Sequence, residues 1–284
     1  MVKIDLITGF LGSGKTTFIK KYAKYLIDSG KNIGILENDY GAVNVDMMLL
    51  QDLMGDQCEL EMVSGGCDKD CHRRRFKTKL IAMGMCGYDR VIVEPSGIFD
   101  VDEFFDALRE DPLDKWHEIG NVIAIADAGL PEQMSKDAEY LLGSEAADAG
   151  LVFVSKLDES SKEQSDTILP HINRAMESIS CTRKLSEEDV MKKKWDELTN
   201  DDWNRILTCG YHTESWQKRD VEDDKSFSSL SFMNLPLTKE QILNAATQIL
   251  GDLSCGHVHR IKGFLETPDG WFELNATAAQ RQLN

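Results

Sequence analysis

The sequence predicts an α/β fold: a doubly wound, mostly parallel sheet followed by a small α+β domain. Three observations predict it. Up to about residue 180, short runs rich in Val and Ile alternate with stretches of helical periodicity. A glycine-rich turn joins the first of these runs to the first helix. From Ser226 onward the pattern changes to alternating strands around a single helix.

Each element has its own signal. Val2–Ile7 reads as the first strand and Phe18–Ile27 as an amphipathic helix. Further strands are expected at Asn32–Glu37, Arg90–Glu94, Asn121–Asp127 and Leu151–Ser155, apolar as strands buried on both faces are. Helices are expected between them at Arg73–Met85, Val101–Arg109, Pro131–Ser144 and Glu163–Ile179. Residues 182–225 carry charge runs such as Glu187-Glu188-Asp189 and Lys192-Lys193-Lys194. They read as a helical connector with solvated faces. Ser226–Asn234 alternates like a strand. Leu237–Leu250 reads as a helix with Thr238 as N-cap and Gln241 completing a capping box. Val258–Thr267 and Gly270–Leu274 read as strands joined by the turn Pro268-Asp269-Gly270. The expected domains are 1–181, a connector over 182–225, and 226–284.

The glycine-rich turn carries the chemistry. Gly9-Phe10-Leu11-Gly12-Ser13-Gly14-Lys15-Thr16-Thr17 sits between strand and helix, the context of a phosphate-binding P-loop. The fold class sharpens accordingly to a P-loop NTPase. Gly9, Gly12 and Gly14 let backbone N–H groups curl around an anion, and the helix N-terminus adds partial positive charge. Lys15 is expected to reach the β- and γ-phosphates and the Thr16 hydroxyl to hold Mg²⁺. Ser13 and Thr17 complete the phosphate-binding set.

Three further segments fall where a nucleotide switch needs them. Glu94 ends a strand and is the second candidate Mg²⁺ group; the Gly97 N–H that follows can sense the γ-phosphate. Glu37-Asn38-Asp39-Tyr40-Gly41-Ala42 follows the second strand as a mobile loop, with Glu37 and Asp39 as candidates for positioning water. Ser155-Lys156-Leu157-Asp158 is similar to the guanine motif Asn-Lys-x-Asp. Asp158 can accept from guanine N1–H and the N2 amino group, a donor pair that adenine lacks. The Lys156 stem would lie along the base. Ser155 replaces the usual Asn, which weakens the expected bracing of the loop.

Composition narrows the partners. The net charge is −17, which argues against nucleic acid and anionic membranes. No apolar run is long enough to span a bilayer, and the chain enters a strand at once, without room for a secretory signal. Seven cysteines, an odd number, suit reduced cytoplasmic thiols better than a disulfide framework.

Cys67-Asp68-Lys69-Asp70-Cys71-His72 groups thiols, carboxylates and an imidazole, ligand types suited to Zn²⁺ or another late transition metal. Cys255, His257 and His259 would share one face if that segment were a strand, although a polar outward face reads better there.

Together these motifs resemble the CobW-like metallochaperone GTPases, relatives of the urease and hydrogenase nickel-insertion GTPases. The resemblance rests on Gly9–Thr17, Glu37–Gly41, Gly66-Cys67 with Cys71, Glu94-Pro95-Ser96-Gly97, Ser155–Asp158 and His259–Leu265. It implies an N-terminal GTPase, a small C-terminal domain, and metal binding near the γ-phosphate. The family has Cys-x-Cys-Cys where this chain has Cys67-x3-Cys71, so Glu37, Asp68, Asp70 and His72 are the candidate replacement ligands. The function expected is slow hydrolysis of GTP to GDP with Mg²⁺, coupled to delivery of zinc, cobalt (Zn²⁺ or Co²⁺) or nickel, or of a metallocofactor, to a client metalloprotein or cofactor-dependent protein. The alternative is a nucleotide-dependent docking switch without metal transfer. A nucleotide-linked homodimer is compatible with the resemblance.

Overall fold

A computed structural model describes residues 1–39, 45–64, 69–95, 101–218, 230, 232, 235–256, 258, 260–267, 270–276 and 281–283. For residues 39, 45, 46, 64, 69, 70, 102, 103, 253 and 281–283 only the backbone is described. The chain divides into two compact units, Met1–Ser228 and Ser229–Asn284.

The first unit is built on a seven-stranded sheet of order β3-β2-β4-β1-β5-β6-β7. The strands are β1 (Val2–Thr8), β2 (Ile33–Asp39), β3 (Cys58–Ser64), β4 (Arg90–Pro95), β5 (His117–Asp127), β6 (Leu151–Ser155) and β7 (Val190–Met191). Every pairing in it is parallel. Among the described residues its α-helices are α1 (Lys15–Asp28), α2 (Val45–Leu50), α3 (Lys69–Met85), α4 (Val101–Arg109), α5 (Leu113–Trp116), α6 (Lys136–Ala147), α7 (Lys162–Ser178) and α8 (Asn200–Leu207).

Two apolar layers explain the continuous apolar runs. Val91, Val93, Val122, Ala124, Val152 and Val154 enter one buried cluster. Their chain neighbours Ile92, Ile123, Ile125, Leu151 and Phe153 enter another. Alternate residues of each strand thus face opposite layers, so both faces are apolar, and a buried polar residue such as Asp5 needs partners, here Arg90, Tyr22 and Asn121. The chain runs outward from β1 to β2 and β3, returns to β4 beside β1, then proceeds through β5 to β7. Such a reversal opens a crevice at the carboxyl ends of the central strands, which is where open α/β sheets bind ligands.

Two strands of this sheet were not expected from sequence. β3 reads Cys-Glu-Leu-Glu-Met-Val-Ser. It is an edge strand that buries Cys58 and Leu60 and leaves Glu59 to solvent, so it lacks the apolar run of the interior strands. β7 has only two residues. It lies within the charged stretch expected to be a connector, and that stretch builds onto the first unit. Trp195 stacks on Phe153 with ring centroids 4.3 Å apart and planes 2° apart. Trp203 stacks on Tyr25 at 4.8 Å. Arg183 donates from Nη1 to the carbonyls of Ala147 and Ala149, both at 2.7 Å. A few aromatic anchors among charges are enough to dock the segment while its lysines stay in water.

The second unit pairs the helix Lys239–Gly251 with an antiparallel sheet of β8 (Ile261–Thr267), β9 (Gly270–Ala276) and β10 (Arg281–Leu283). The helix begins with the expected capping box: Thr238 Oγ1 accepts from Gln241 N and Gln241 Oε1 from Thr238 N. Ala246, Leu274 and Ala276 form its small core. Thr267 pairs with Gly270; Pro268 and Asp269 of the expected turn lie outside the described residues. Most of the expected strand Ser226–Asn234 also lies outside them, and Leu230 and Phe232 have no regular structure. Among the described residues no helix is long and apolar enough to cross a membrane.

Candidate functional site

The loop from Gly9 to Gly14 has the conformation that its glycines anticipate. Gly9, Gly12 and Gly14 have φ of 144°, 79° and 95°. Gly14 is the left-handed N-cap of α1. A Cβ at Gly9 would collide with the Ile125 carbonyl oxygen and lie 2.8 Å from Ser13 Oγ. Only glycine allows this loop to lie so close to β5. Lys15 is buried and donates from Nζ to the Gly9 carbonyl at 2.8 Å. The lysine therefore folds across its own loop, facing the space that the backbone N–H groups enclose.

Beside the loop, Thr16 Oγ1 donates to Glu94 Oε1 at 3.4 Å. Glu94 ends β4, and the β2–β4 register places Glu37 directly opposite it. Both carboxylates are buried, at 2% exposure for Glu37 and 6% for Glu94. Two buried carboxyl groups beside a hydroxyl form a hard-oxygen donor set that suits a divalent cation. Glu37 lies within the strand expected at Asn32–Glu37, and the strand runs on through Asn38 and Asp39, which were expected to open a mobile loop. β2 continues to Asp39, because its carboxyl end pairs with both β3 and β4. Tyr40–Ala42 and Gly97 lie outside the described residues, and for Asp39 only the backbone is described.

Of the segment Ser155–Asp158, Ser155 meets the other end of the loop. Ser155 Oγ donates within 2.5 Å of the Ser13 carbonyl, and the Ala126 carbonyl lies 3.2 Å away. The serine therefore restores the bracing that loss of Asn was expected to weaken. Lys156 has φ of 55° and pairs through Nζ with Asp127 Oδ2 at 2.6 Å. Asp127 Oδ1 in turn accepts from Gly129 N at 2.8 Å. These contacts tie the Lys156 side chain to Asp127 at the carboxyl end of β5. Asp158 is exposed and ion-paired with Lys194.

The thiol segment is only partly in view. Cys67 and Asp68 lie outside the described residues, and Asp70 is described by backbone alone. Cys71 and His72 open α3. Cys71 is half-buried, while His72 is buried with Nε2 2.6 Å from Asn38 Oδ1. Because Oδ1 only accepts, Nε2 carries the proton, and ligation by His72 would use Nδ1. Among the described residues no group of three His, Cys, Asp or Glu is arranged to hold a metal ion. Cys255 is exposed in a 3-10 turn rather than a strand, and His257 and His259 lie outside the described residues.

One group near the loop escaped the sequence reading. Glu145 in α6 is 2% exposed, and neither carboxyl oxygen has a hydrogen-bond partner among the described residues. Burial pushes its pKa up to about 8, opposed by the nearby Lys15 charge and the Gly9 N–H dipole. Nothing in the local sequence marks it, because Glu145 follows Glu139 in a helix where carboxylates are ordinary.

Known proteins resemble this chain over most of its length. The family described as "CobW/HypB/UreG, nucleotide-binding domain" matches residues 3–183. The zinc chaperone YeiR of Escherichia coli strain K12 is 27% identical, over 97% of this chain and 86% of its own length. The zinc-regulated GTPase metalloprotein activator 1 of Schizosaccharomyces pombe is 21% identical, over 92% of this chain and 58% of its own length. Among solved structures, Zn(II)-bound YjiA GTPase from E. coli aligns with 100% of this chain and 88% of its own, at 17% identity and a TM-score of 0.40.

Proposed function

The chain belongs to the CobW/HypB/UreG nucleotide-binding family, and from that premise we propose that it is a GTPase that couples slow hydrolysis of GTP to the delivery of a metal ion to a client protein. The observation that carries the reading is the convergence of the Gly9–Thr17 loop, the Thr16–Glu94 contact and the buried Glu37–Glu94 pair at one end of the sheet.

The residues divide the work. Backbone N–H groups of the loop and the N-terminus of α1 bind the phosphates. Lys15 exchanges the Gly9 carbonyl for phosphate oxygens and so offsets charge that grows on the transferred group. Thr16 and Glu94 would hold Mg²⁺, which when bound neutralises the β- and γ-phosphates. Lys156 and Asp158 select guanine. Glu37, Cys67, Cys71 and His72 are the ligands proposed for the cargo, and the relatives' names favour zinc. Because Glu37 lies across from Glu94, cargo and nucleotide would share one structural element. Metal would then alter nucleotide affinity as much as nucleotide alters metal affinity.

Two measurements test this. Equilibrium binding of GTP, GDP and ATP with Mg²⁺ should show preference for the guanine nucleotides; an ATP preference removes the reading. Zinc titration of the wild type and of Cys67→Ser/Cys71→Ser should show weaker, nucleotide-independent binding in the variant. Equal zinc affinity in both proteins would sink the delivery role and leave the GTPase standing.

A further inference from the structure

Residues 192–195 lie beyond the family match, which ends at residue 183. They follow β7, whose Met191 sits opposite Phe153 of β6. Both strands therefore end on the same side of the sheet, and the segments leaving them run side by side. From β6 come Lys156 and Asp158; from β7 comes Lys194. The ion pair between Lys194 Nζ and Asp158 Oδ1 joins the two.

An exposed lysine–aspartate pair is ordinarily worth little. This one differs in how its lysine is placed. The next residue, Trp195, stacks on Phe153 at 4.3 Å and packs against Phe18 at 5.7 Å. Phe153 lies two residues before Ser155, and Phe18 three residues after Lys15. The indole is thus fixed to the two elements that build the base site and the phosphate site. Its neighbour Lys194 is set in an extended conformation, with φ of −68° and ψ of 148°. The lysine is delivered to the carboxylate from a rigid anchor rather than from a free loop.

The chemistry of the base gives this placement a consequence. A carboxylate that accepts from guanine N1–H has the neighbouring O6 beside one of its oxygens. An ammonium paired with that carboxylate comes within reach of O6 as well. We propose that Lys194 is a specificity-determining residue that donates to the 6-oxo group of the bound purine while remaining paired with Asp158. It rests on the guanine reading of Asp158. Adenine carries an amino donor at that position, so the ammonium rejects it where it welcomes the 6-oxopurine. The family's guanine motif supplies the carboxylate, and this chain adds a cation from the segment after β7.

The test measures Mg²⁺-dependent binding of GDP, 6-thio-GDP and ADP to the full chain, comparing wild type, Lys194→Met and Lys194→Arg. Sulfur at position 6 is a weaker acceptor than oxygen, so wild type should hold GDP about tenfold more tightly than 6-thio-GDP, as loss of one charge-assisted hydrogen bond implies. K194M should weaken GDP about tenfold, bind GDP and 6-thio-GDP alike, and hold ADP no more weakly than wild type does. K194R should restore part of the preference. The inference is overturned if K194M binds GDP as wild type does or more tightly, or if it loses all three ligands equally, which marks a structural role. Failure of the underlying reading has a separate signature: wild type would then not prefer GDP over ADP, and the Lys194 assignment would fall with it.

Discussion

Replacing Glu145 by glutamine should make the protein more stable at pH 8 and change little at pH 4. The carboxyl is buried without a hydrogen-bond partner among the described residues, and its pKa in the folded chain is about 8 against a reference of 4.5. The folded value is raised, so the group contributes its full stability below pH 4.5 and loses it as pH rises through 8. Between those values the unfolded chain releases a proton that the native state retains. Stability therefore falls by about 1.4 kcal/mol per pH unit, reaching roughly 4 kcal/mol at pH 8. Glutamine keeps the shape and cannot ionise, so E145Q should not share this loss. Urea unfolding of both proteins at pH 5, 6, 7 and 8, followed by tryptophan fluorescence, gives the two curves. Their difference isolates Glu145 from the self-repulsion of a chain with net charge −17. Curves that stay parallel from pH 5 to pH 8 would refute the reasoning, because they would mean that residue 145 is not a buried neutral acid.

Other perturbations test other links. Arg90 donates to both carboxylate oxygens of the fully buried Asp5 at 2.6 Å, and Tyr22 and Asn121 N donate to the same group at 2.8 Å. Arg90→Ala leaves that charge without its counterion and should cost about 3–5 kcal/mol by urea denaturation; a loss below 1 kcal/mol would show that the hydrogen bonds alone suffice. Gly9→Ala puts a methyl group against the Ile125 carbonyl oxygen and should abolish GDP binding measured by calorimetry. Ser155→Ala removes the hydroxyl that ties β6 to the Ser13 carbonyl. It should weaken both GDP and GTP by about 1 kcal/mol, and an unchanged affinity would mean that the loop needs no brace. Trp195→Ala should cost roughly 2–3 kcal/mol and raise the mobility of residues 192–196 in hydrogen exchange; retained protection there would remove the rigid anchor claimed for Lys194.

Sequence alone determined the parts of this protein whose physics is local. Gly9, Gly12 and Gly14 announce backbone conformations that other residues rarely adopt, and Lys15-Thr16 after them can be read without a partner in view. The interior strands β1, β2, β4, β5 and β6 were equally legible, because burial on both faces makes their central residues mostly apolar. Thr238 and Gln241 signalled the helix start in the second unit, since a capping box closes within four residues.

Only the tertiary structure decided what depends on distant pairing. β3 and β7 were hidden because an edge strand mixes charged and apolar residues, and a two-residue strand carries no period. β2 runs two residues past Glu37 because β3 and β4, far along the chain, pair with Asn38 and Asp39. The stretch Lys192-Lys193-Lys194-Trp195 read as a solvated charge run, and its indole proved to be stacked on Phe153. Glu145 falls one residue past the helix expected at Pro131–Ser144, and only folding places it inside α6 and removes its water. In each case the deciding interaction joins residues whose proximity no sequence window contains. The glycine-rich loop is written in nine consecutive residues, while the pairing of Asp158 with Lys194 beside it is assembled by the sheet.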